Sequence, residues 1–457
     1  MAAADRNPAT GASGGSPDPV REDELDALFS PLADFPVVIL AVSGGADSTA
    51  MMHLASRWAG RRAREDATPA IMVASVDHGL RAGSNRDAQW VIGEARKLGF
   101  EARLLEWSGD KPATGIQDAA RTARYRLLMD LARTQGAGGR VAVVTAHTED
   151  DQAETLLMRL ARGSGLDGLA GMAPARPLDD DGKVVLLRPL LGVAGARLRA
   201  TLRAAGVPWI EDPSNEADRF ERVRIRKAAG VLSDLGFAND KLALSARRLA
   251  RARDAIEYAL AGLKERVHLD LHGGAFASFI HGEWSLAPAE LRLRLLGRLI
   301  ASYGGEADPV RLAQLEALDA RMLETAFEGA TLGGAVVSRH GENVRVWREM
   351  GRGGPEKLKL QPGAVAVWDG RFHVRTSSEG GMPVEVRALG LVAFSELRQR
   401  AEHRHWPDPA VPAAAAASLP AFWQGETLLT VPYFAGFDGA PSRWQETAGL
   451  YSAEFLG

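Results

Sequence analysis

Residues 36–42, Pro36-Val37-Val38-Ile39-Leu40-Ala41-Val42, run directly into Ser43-Gly44-Gly45-Ala46-Asp47-Ser48, and a helix-permissive stretch follows at 48–58. A short apolar run with no polar alternation predicts a buried strand; the Ser-Gly-Gly turn ends it and the next segment has helical spacing. Paired glycines let a backbone approach an anion closely, and the N–H groups at a helix N-terminus have no intrahelical partner. A phosphate group is therefore the expected guest of Ser43, Gly44, Gly45, Ala46, Asp47 and Ser48. The stretch is not a Walker A loop, because it is shorter and no Gly-Lys-Ser/Thr closes it. The hydroxyls of Ser43 and Ser48 add donors. Asp47 would repel phosphate by itself, but makes sense as the partner of a bridging Mg²⁺. The plain alternative is a capped Gly-rich turn. That would be the better reading of the tripeptide alone and the poorer one for the whole hexapeptide at a strand-to-helix junction.

Outward from this loop the strand–helix pattern repeats. Strands are predicted over 70–76, 101–105 and 141–145, and helices over 87–98, 116–132 and 150–162. Alternation of this kind implies an α/β fold with a doubly wound parallel sheet, whose ligands sit beyond the carboxyl ends of the strands. Past Asn215 the pattern turns to Arg-rich and Ala/Leu-rich helical segments, at 219–226, 239–260 and 287–301. A strand pair at 334–339 and 343–348 flanks the turn His340-Gly341-Glu342. The expected organisation is a tail over 1–20, a catalytic domain over 21–216, a helical substrate domain over 217–350, a Gly/Lys/Pro-rich linker over 351–363 and a small α+β domain over 364–457. Within the last, strands are expected at 365–368, 373–376 and 427–431, and the Ala-rich stretch 410–418 is a short helix or a spacer.

At 457 residues with 46% apolar and 25% charged side chains, the chain has material for two or three cores. It contains no cysteine, which removes disulfides, thiolate zinc sites, cysteine-ligated iron–sulfur clusters and persulfide chemistry. No apolar stretch is long enough to span a bilayer and no leader-like segment opens the chain, so a cytoplasmic protein with no membrane partner is expected. A net charge of −3 argues against indiscriminate polyanion binding. Locally, residues 219–253 carry ten Lys/Arg against three Asp/Glu, an excess that suits an RNA backbone as well as a solvated helix face. For Arg247, Arg248, Arg251 and Arg253 the two readings stand level. His403 and His405 lack a third metal ligand and are assigned nothing.

The loop resembles the SGGxDS motif of the N-type ATP pyrophosphatase (PP-loop) superfamily, which cleaves ATP to AMP and pyrophosphate and adenylates a substrate. Further segments narrow the resemblance: Val76-Asp77-His78-Gly79-Leu80-Arg81, Gly115-Ile116-Gln117, Ala120-Arg121-Thr122-Ala123-Arg124-Tyr125 and His147-Thr148-Glu149-Asp150-Asp151-Gln152-Ala153-Glu154-Thr155. With Arg162-Gly163-Ser164-Gly165-Leu166-Asp167-Gly168-Leu169, Arg188-Pro189-Leu190-Leu191 and Asp212-Pro213-Ser214-Asn215, they resemble the tRNA(Ile)-lysidine synthetases. The match runs from Val37 to about Arg226, and more weakly through Thr331-Leu332-Gly333-Gly334 and Leu419-Pro420-Ala421-Phe422-Trp423. It implies an enzyme that adenylates C2 of the wobble cytidine of a CAU-anticodon tRNA(Ile) and lets free L-lysine displace AMP to give lysidine.

The resemblance implies ATP and Mg²⁺ as cofactors, with ATP held by the loop and His78 and the metal by Asp47. Catalytic roles fall to Asp47, Arg124, His147 and Asp151. Positive charge near the transferring phosphate suits Arg124, and Arg121 beside it. Lysine's amine is protonated near neutral pH and must lose a proton to attack, a task for His147 with Asp151. Glu154, one helical turn beyond Asp151, would hold the cationic amine. Asp150 is read as an ordinary first-turn cap and Asp151 as chemistry. Arg162, Arg222 and Arg226 are expected on tRNA, and a homodimer is among the assemblies considered. Two positions depart from the common family pattern: Thr148 replaces a frequent second histidine, and Val223 a frequent Asn. Among rivals, a tRNA thiolase needs cysteines this chain lacks, and an amidotransferase synthetase would leave the Arg-rich region unused. A nucleotide- or RNA-binding protein without turnover would be expected to have lost Asp47, Arg124 or Asp151.

Overall fold

The computed structural model describes residues 17–63, 68–81, 83–109, 111–112, 114–179, 181–211, 221–305, 310–351, 354–380, 382–400, 411–435, 444 and 449–457. The chain falls into two compact units, Met1–Asp254 and Ala255–Gly457.

In the first unit, the short helix α1 (Leu25–Phe29) precedes β1 (Val37–Ala41), α2 (Ala46–Arg62), β2 (Ala70–Asp77), α3 (Ser84–Lys97), β3 (Glu101–Glu106), α4 (Ile116–Gly136) and β4 (Val141–Val144). There follow α5 (Glu149–Ala161), α6 (Leu166–Leu169), β5 (Ala175–Pro177), β6 (Val184–Leu187), α7 (Gly195–Ala204), α8 (Glu221–Asp234) and α9 (Asn239–Arg266), which runs on past Asp254. The sheet order is β3-β2-β1-β4-β6-β5. The pairs β1–β2, β2–β3, β1–β4 and β4–β6 are parallel, and only the edge pair β5–β6 is antiparallel. The doubly wound expectation therefore holds, with one reversed edge strand that the sequence reading did not see.

The apolar run of β1 is continuous because both of its faces are covered. Val38 and Leu40 enter a core with Leu54, Ala55, Trp58, Val91 and Leu198, from α2, α3 and α7. Ile39, pointing the other way, packs with Leu128 and Ala132 of α4 and with Val143 and Leu186. From β1 the chain builds outward through β2 and β3, then returns to place β4 on the other flank. The loop after β1 thus stands at the point where strand order reverses, where an open α/β sheet leaves a crevice.

The second unit carries β7 (Ala277–Ile280), α10 (His281–Ser285), α11 (Ala289–Gly304), α12 (Leu312–Met322), β8 (Gly329–Leu332), β9 (Ala335–His340) and β10 (Asn343–Arg348). Its first sheet is antiparallel, ordered β7-β10-β9-β8, and packs Val337 and Val344 against Leu295, Leu296 and Ile300 of α11. The hairpin read around His340-Gly341-Glu342 is therefore the centre of a four-stranded sheet. Two further sheets follow, β11 (Leu358–Leu360), β14 (Val384–Ala388), β15 (Pro420–Gln424) and β16 (Thr427–Thr430) in one, and β12 (Val365–Trp368), β13 (Phe372–Thr376) and β17 (Tyr451–Phe455) in the other. The helices α13 (Leu391–Arg400), α14 (Ala413–Ala417) and α15 (Pro432–Ala435) accompany them. The Ala-rich stretch is thus helical at α14, with Ala415, Ala416 and Ala417 fully buried. Strand β11 arises inside the Gly/Lys/Pro-rich stretch 351–363. Its three residues are too short a run to register as alternation, and they are a strand because β14 pairs with them.

Candidate active site

The loop is organised by its own polar groups. Gly44 lies at φ +90°, the left-handed region that favours glycine. A Cβ there would come 2.5 Å from Cδ1 of Ile210, whose N–H donates to the Gly44 carbonyl at 2.9 Å. Ser43 N–H donates to Ser48 Oγ at 3.2 Å, and Ser48 Oγ donates to the Gly45 carbonyl at 3.0 Å. Thr49 Oγ1 donates to the Gly44 carbonyl at 3.0 Å. Gly45 caps α2 in extended conformation, without a side-chain cap. The helix start is thus rigid on the protein side, with its first amides available to an anion.

Asp47 sits in the first turn of α2, and its Oδ1 is buried with no hydrogen-bond partner among the described residues. Burial, with Asp151 and Asp150 nearby, pushes its pKa up to about 6, partly offset by Arg199 and Arg226. A buried, unpartnered carboxylate oxygen is a costly arrangement for a polar group left alone. It fits a hard cation held jointly by protein and phosphate, as Mg²⁺ is usually held by one or two carboxylates plus substrate oxygens. Among the described residues no group of three or more His, Cys, Asp or Glu side chains forms a ready-made metal cage.

Helix α5 brings the next groups. Thr148 is its N-cap and forms a capping box with Asp151: Thr148 N–H and Oγ1 both donate to Asp151 Oδ2, at 2.9 and 3.1 Å. The capping role expected of Asp150 therefore belongs to Asp151. Asp150 instead accepts from Gly195 N–H at 3.0 Å and from Asn239 Nδ2 at 2.8 Å, tying the starts of α7 and α9 to α5. Thr148, where a second histidine is frequent, is a buried capping residue here. The other oxygen of Asp151, Oδ1, faces Arg222 and Arg226 at 3.8 Å each. Glu154 is buried and its carboxylate is gripped by the Arg226 guanidinium, with Nη2 3.3 Å from Oε2. Burial raises the Glu154 pKa, and the Arg226 bond opposes the rise. Arg162, largely exposed, pairs with Glu221, so the first turns of α8 meet α5 and its end through four ion pairs or near-pairs.

His147 bonds Thr145 Oγ1 through Nδ1 at 2.8 Å. Burial drives its pKa down to about 4, against the pull of Asp151 and with Arg188, Arg121 and Arg222 adding to the fall. On the β2 side, Arg124 donates to His78 Nε2 from Nη2 at 3.1 Å and from Nε at 3.3 Å. Burial, aided by Arg124, holds His78 neutral with a pKa near 4. With Nε2 accepting, the ring proton is on Nδ1, which is buried and without a partner among the described residues.

The structure thus gathers Asp47, Asp151, Glu154, Arg222 and Arg226 into one charged cluster, with His147 within its field, and sets His78 and Arg124 together on α4 and the end of β2. Arg162 lies apart from these contacts, paired with Glu221. Residues 212–215 lie outside the described residues, as do Arg219, His403 and His405. Sequence reading missed Arg199, Asn239 and Gly195 in the surroundings of Asp47 and Asp150. A Cβ on Gly195 would stand 2.8 Å from Asp150 Oδ2 and 3.3 Å from Asp47 Oδ1, and no local motif signals that closeness.

The parallel sheet and the glycine loop at its reversal point define a PP-loop ATP-binding enzyme, and the PP-loop domain family model matches residues 17–231. The tRNA(Ile)-lysidine synthase of Bradyrhizobium sp. (strain BTAi1) is 46% identical over 323 residues, covering 69% of this chain and 87% of that one. That of Ruegeria pomeroyi is 38% identical over 420 residues, 91% of each chain. This chain belongs to the tRNA(Ile)-lysidine synthase family, and it is an ATP-dependent ligase of tRNA modification. Among solved structures, the U34-tRNA thiolase NcsA from Methanococcus maripaludis aligns over 50% of this chain and 77% of its own, with 13% identity and a TM-score of 0.41. Among the described residues no helix is long and apolar enough to cross a membrane.

Proposed function

We propose that this enzyme joins free L-lysine to C2 of the wobble cytidine of a CAU-anticodon tRNA(Ile) in the cytoplasm, through an adenylated base, releasing AMP and pyrophosphate. The observation that carries the proposal is the unpartnered Asp47 Oδ1 at the mouth of the glycine loop, beside the carboxylates and arginines of α5 and α8. ATP phosphates rest on the α2 amides and the Ser43 and Ser48 hydroxyls. Mg²⁺, when bound at Asp47, screens the phosphate charge. Residues 217–350 with 364–457 supply the remaining tRNA contacts.

Arg124, oriented by neutral His78, steadies charge on the transferring phosphoryl group. His147 is neutral at pH 7, so a ring nitrogen is free to accept a proton from the lysine amine. Asp151, fixed by its capping box, orients that exchange. Glu154 takes the lysine ammonium; in this structure Arg226 holds that place, and Arg222 borders Asp151. RNA phosphates attract guanidinium groups strongly, so docking of the tRNA backbone on Arg162, Arg222 and Arg226 would draw the arginines from the two carboxylates and open the lysine position. Binding order then has a physical cause: RNA first, lysine second.

The test follows pyrophosphate release from ATP by the full chain, with and without the CAU-anticodon tRNA(Ile), alongside labelled lysine entering RNA. Release dependent on tRNA, with lysine incorporated and both lost in Asp47→Ala, is the expected result. Release that depends on tRNA while lysine stays free would remove lysine as the nucleophile.

A further inference from the structure

A second cluster of cations lies outside the Asp47–Glu154 group. A cleft of about 360 Å³ is lined by Arg121, Thr122, Tyr125, Arg126, Met129 and Arg176, with Leu178 at its side. The guanidinium of Arg121 stands over the Tyr125 ring at 5.2 Å and that of Arg176 at 5.7 Å, so the phenyl ring is shared by two cations. Neither Arg121, Arg126 nor Arg176 has a carboxylate partner among the described residues, and all three side chains are exposed. Some arginines of this unit are paired, as Arg197 is with Glu24 and Arg162 with Glu221; what sets these three apart is that they line one cleft around one aromatic ring. Three like charges around one ring make the cleft a site of positive potential that an anion relieves.

Topology fixes where the cleft lies. Helix α4 precedes β4, so its first turns, with Arg121 and Tyr125, stand at the carboxyl edge of the sheet. Arg176 on β5 is opposite Leu186, next to the last residue of β6, at that same edge. Arg121 also contributes to the field at His147. The cleft therefore lies close enough to His147 for Arg121 to bear on both.

We propose that this cleft is a single-strand RNA subsite, which takes a phosphodiester of the nucleotides next to the target cytidine and stacks a base on an exposed guanidinium plane. Single-stranded RNA is recognised by such pairings of backbone charge with planar cations and aromatic rings. The inference rests on the RNA-modifying reading above and extends it to one pair of elements, α4 and β5. The ATP phosphates are the competing occupant of the same chemistry.

Two charge reversals in the full-length enzyme separate the cases. Arg176→Glu places a carboxylate in the cleft from an exposed edge strand; Arg133→Glu makes the same charge change on exposed α4 surface outside it. Binding of the tRNA is measured over a salt series, and ATP binding is measured without RNA. For Arg176→Glu, tRNA affinity is expected to fall about tenfold or more and the slope of log affinity against log salt to shrink by about 0.7, one single-strand phosphate contact, while Arg133→Glu stays near wild type. Equal losses in the two variants would show a general charge effect and overturn the subsite. Weaker ATP binding with tRNA binding intact would assign the cleft to the nucleotide. The salt series reports RNA binding whatever is later joined to the base, so a failure of lysine transfer in the wild-type enzyme remains a separate result.

Discussion

Asp47 illustrates how a single residue trades stability for chemistry. Its carboxyl pKa is raised from 3.8 to about 6, first by burial and then by Asp151 and Asp150. Between those values the folded protein holds a proton that the unfolded chain has released. The associated stability is therefore complete below about pH 3.8 and is lost as pH rises through about 6. At pH 7 the ionised side chain costs roughly 1–3 kcal/mol, allowing for its partial exposure. Asp47→Asn is thus expected to raise stability in urea at pH 7 by about that much, with the gain gone near pH 4, while abolishing pyrophosphate release. Equal stability of the two proteins at pH 7 would mean that the carboxylate is not strained in the free enzyme. His78 and His147 lie at the other pole: both are neutral by burial and cationic neighbours, which leaves one nitrogen of each ring able to accept a bond.

At the scale of elements, the loop joining β1 to α2 depends on the left-handed backbone of Gly44 and on its contact with Ile210. In Gly44→Ala the φ of +90° costs roughly 1–3 kcal/mol, and the new methyl strikes Ile210. The expected outcome is loss of ATP binding in equilibrium dialysis together with a lower melting temperature. Adding Ile210→Ala removes the collision and leaves the backbone strain, so the double variant is expected to stay defective; recovery of ATP binding would assign the defect to crowding alone. Helix α5 shows what was legible and what was not. Its polar start is contiguous, so Asp151 and Glu154 stood out as one face of a helix. Their partners did not, because Arg226 is 72 residues from Glu154 and Asn239 is 89 from Asp150. The cap was assigned to the wrong neighbour for a related reason: capping depends on which carboxylate turns back towards Thr148, and Asp150 is instead drawn to Gly195 N–H of α7.

Within the second unit as a whole, the last strands are tied to the central hairpin by buried charge. Asp369 accepts from Arg348 Nε at 3.1 Å and from Arg371 Nε at 2.7 Å, and Arg371 also donates to the Ser418 carbonyl at 2.7 Å. Both Asp369 and Arg371 are almost fully buried. Tyr303 of α11 meets Phe455 of β17 with ring centroids 5.0 Å apart. Asp369→Asn keeps a residue tolerant of the left-handed backbone at φ 54° but leaves the Arg371 cation without its counter-charge. A loss of about 3 kcal/mol is expected, read as an earlier unfolding transition of this unit with ATP affinity unchanged. An unaltered melting profile would show that the ion network is dispensable. By itself the sequence determined the loop and the parallel sheet around it, because each depends on periodicity or on neighbours within one turn, and the reaction class followed from the loop's resemblance to the PP-loop superfamily. Only the tertiary structure decided that Arg226 covers Glu154, that Asp150 clasps α7 and α9, that β5 reverses at the edge and that Arg121, Arg126 and Arg176 line one cleft. Those facts rest on contacts between segments far apart in the chain, and burial, charge pairing and edge geometry exist only once the segments have met.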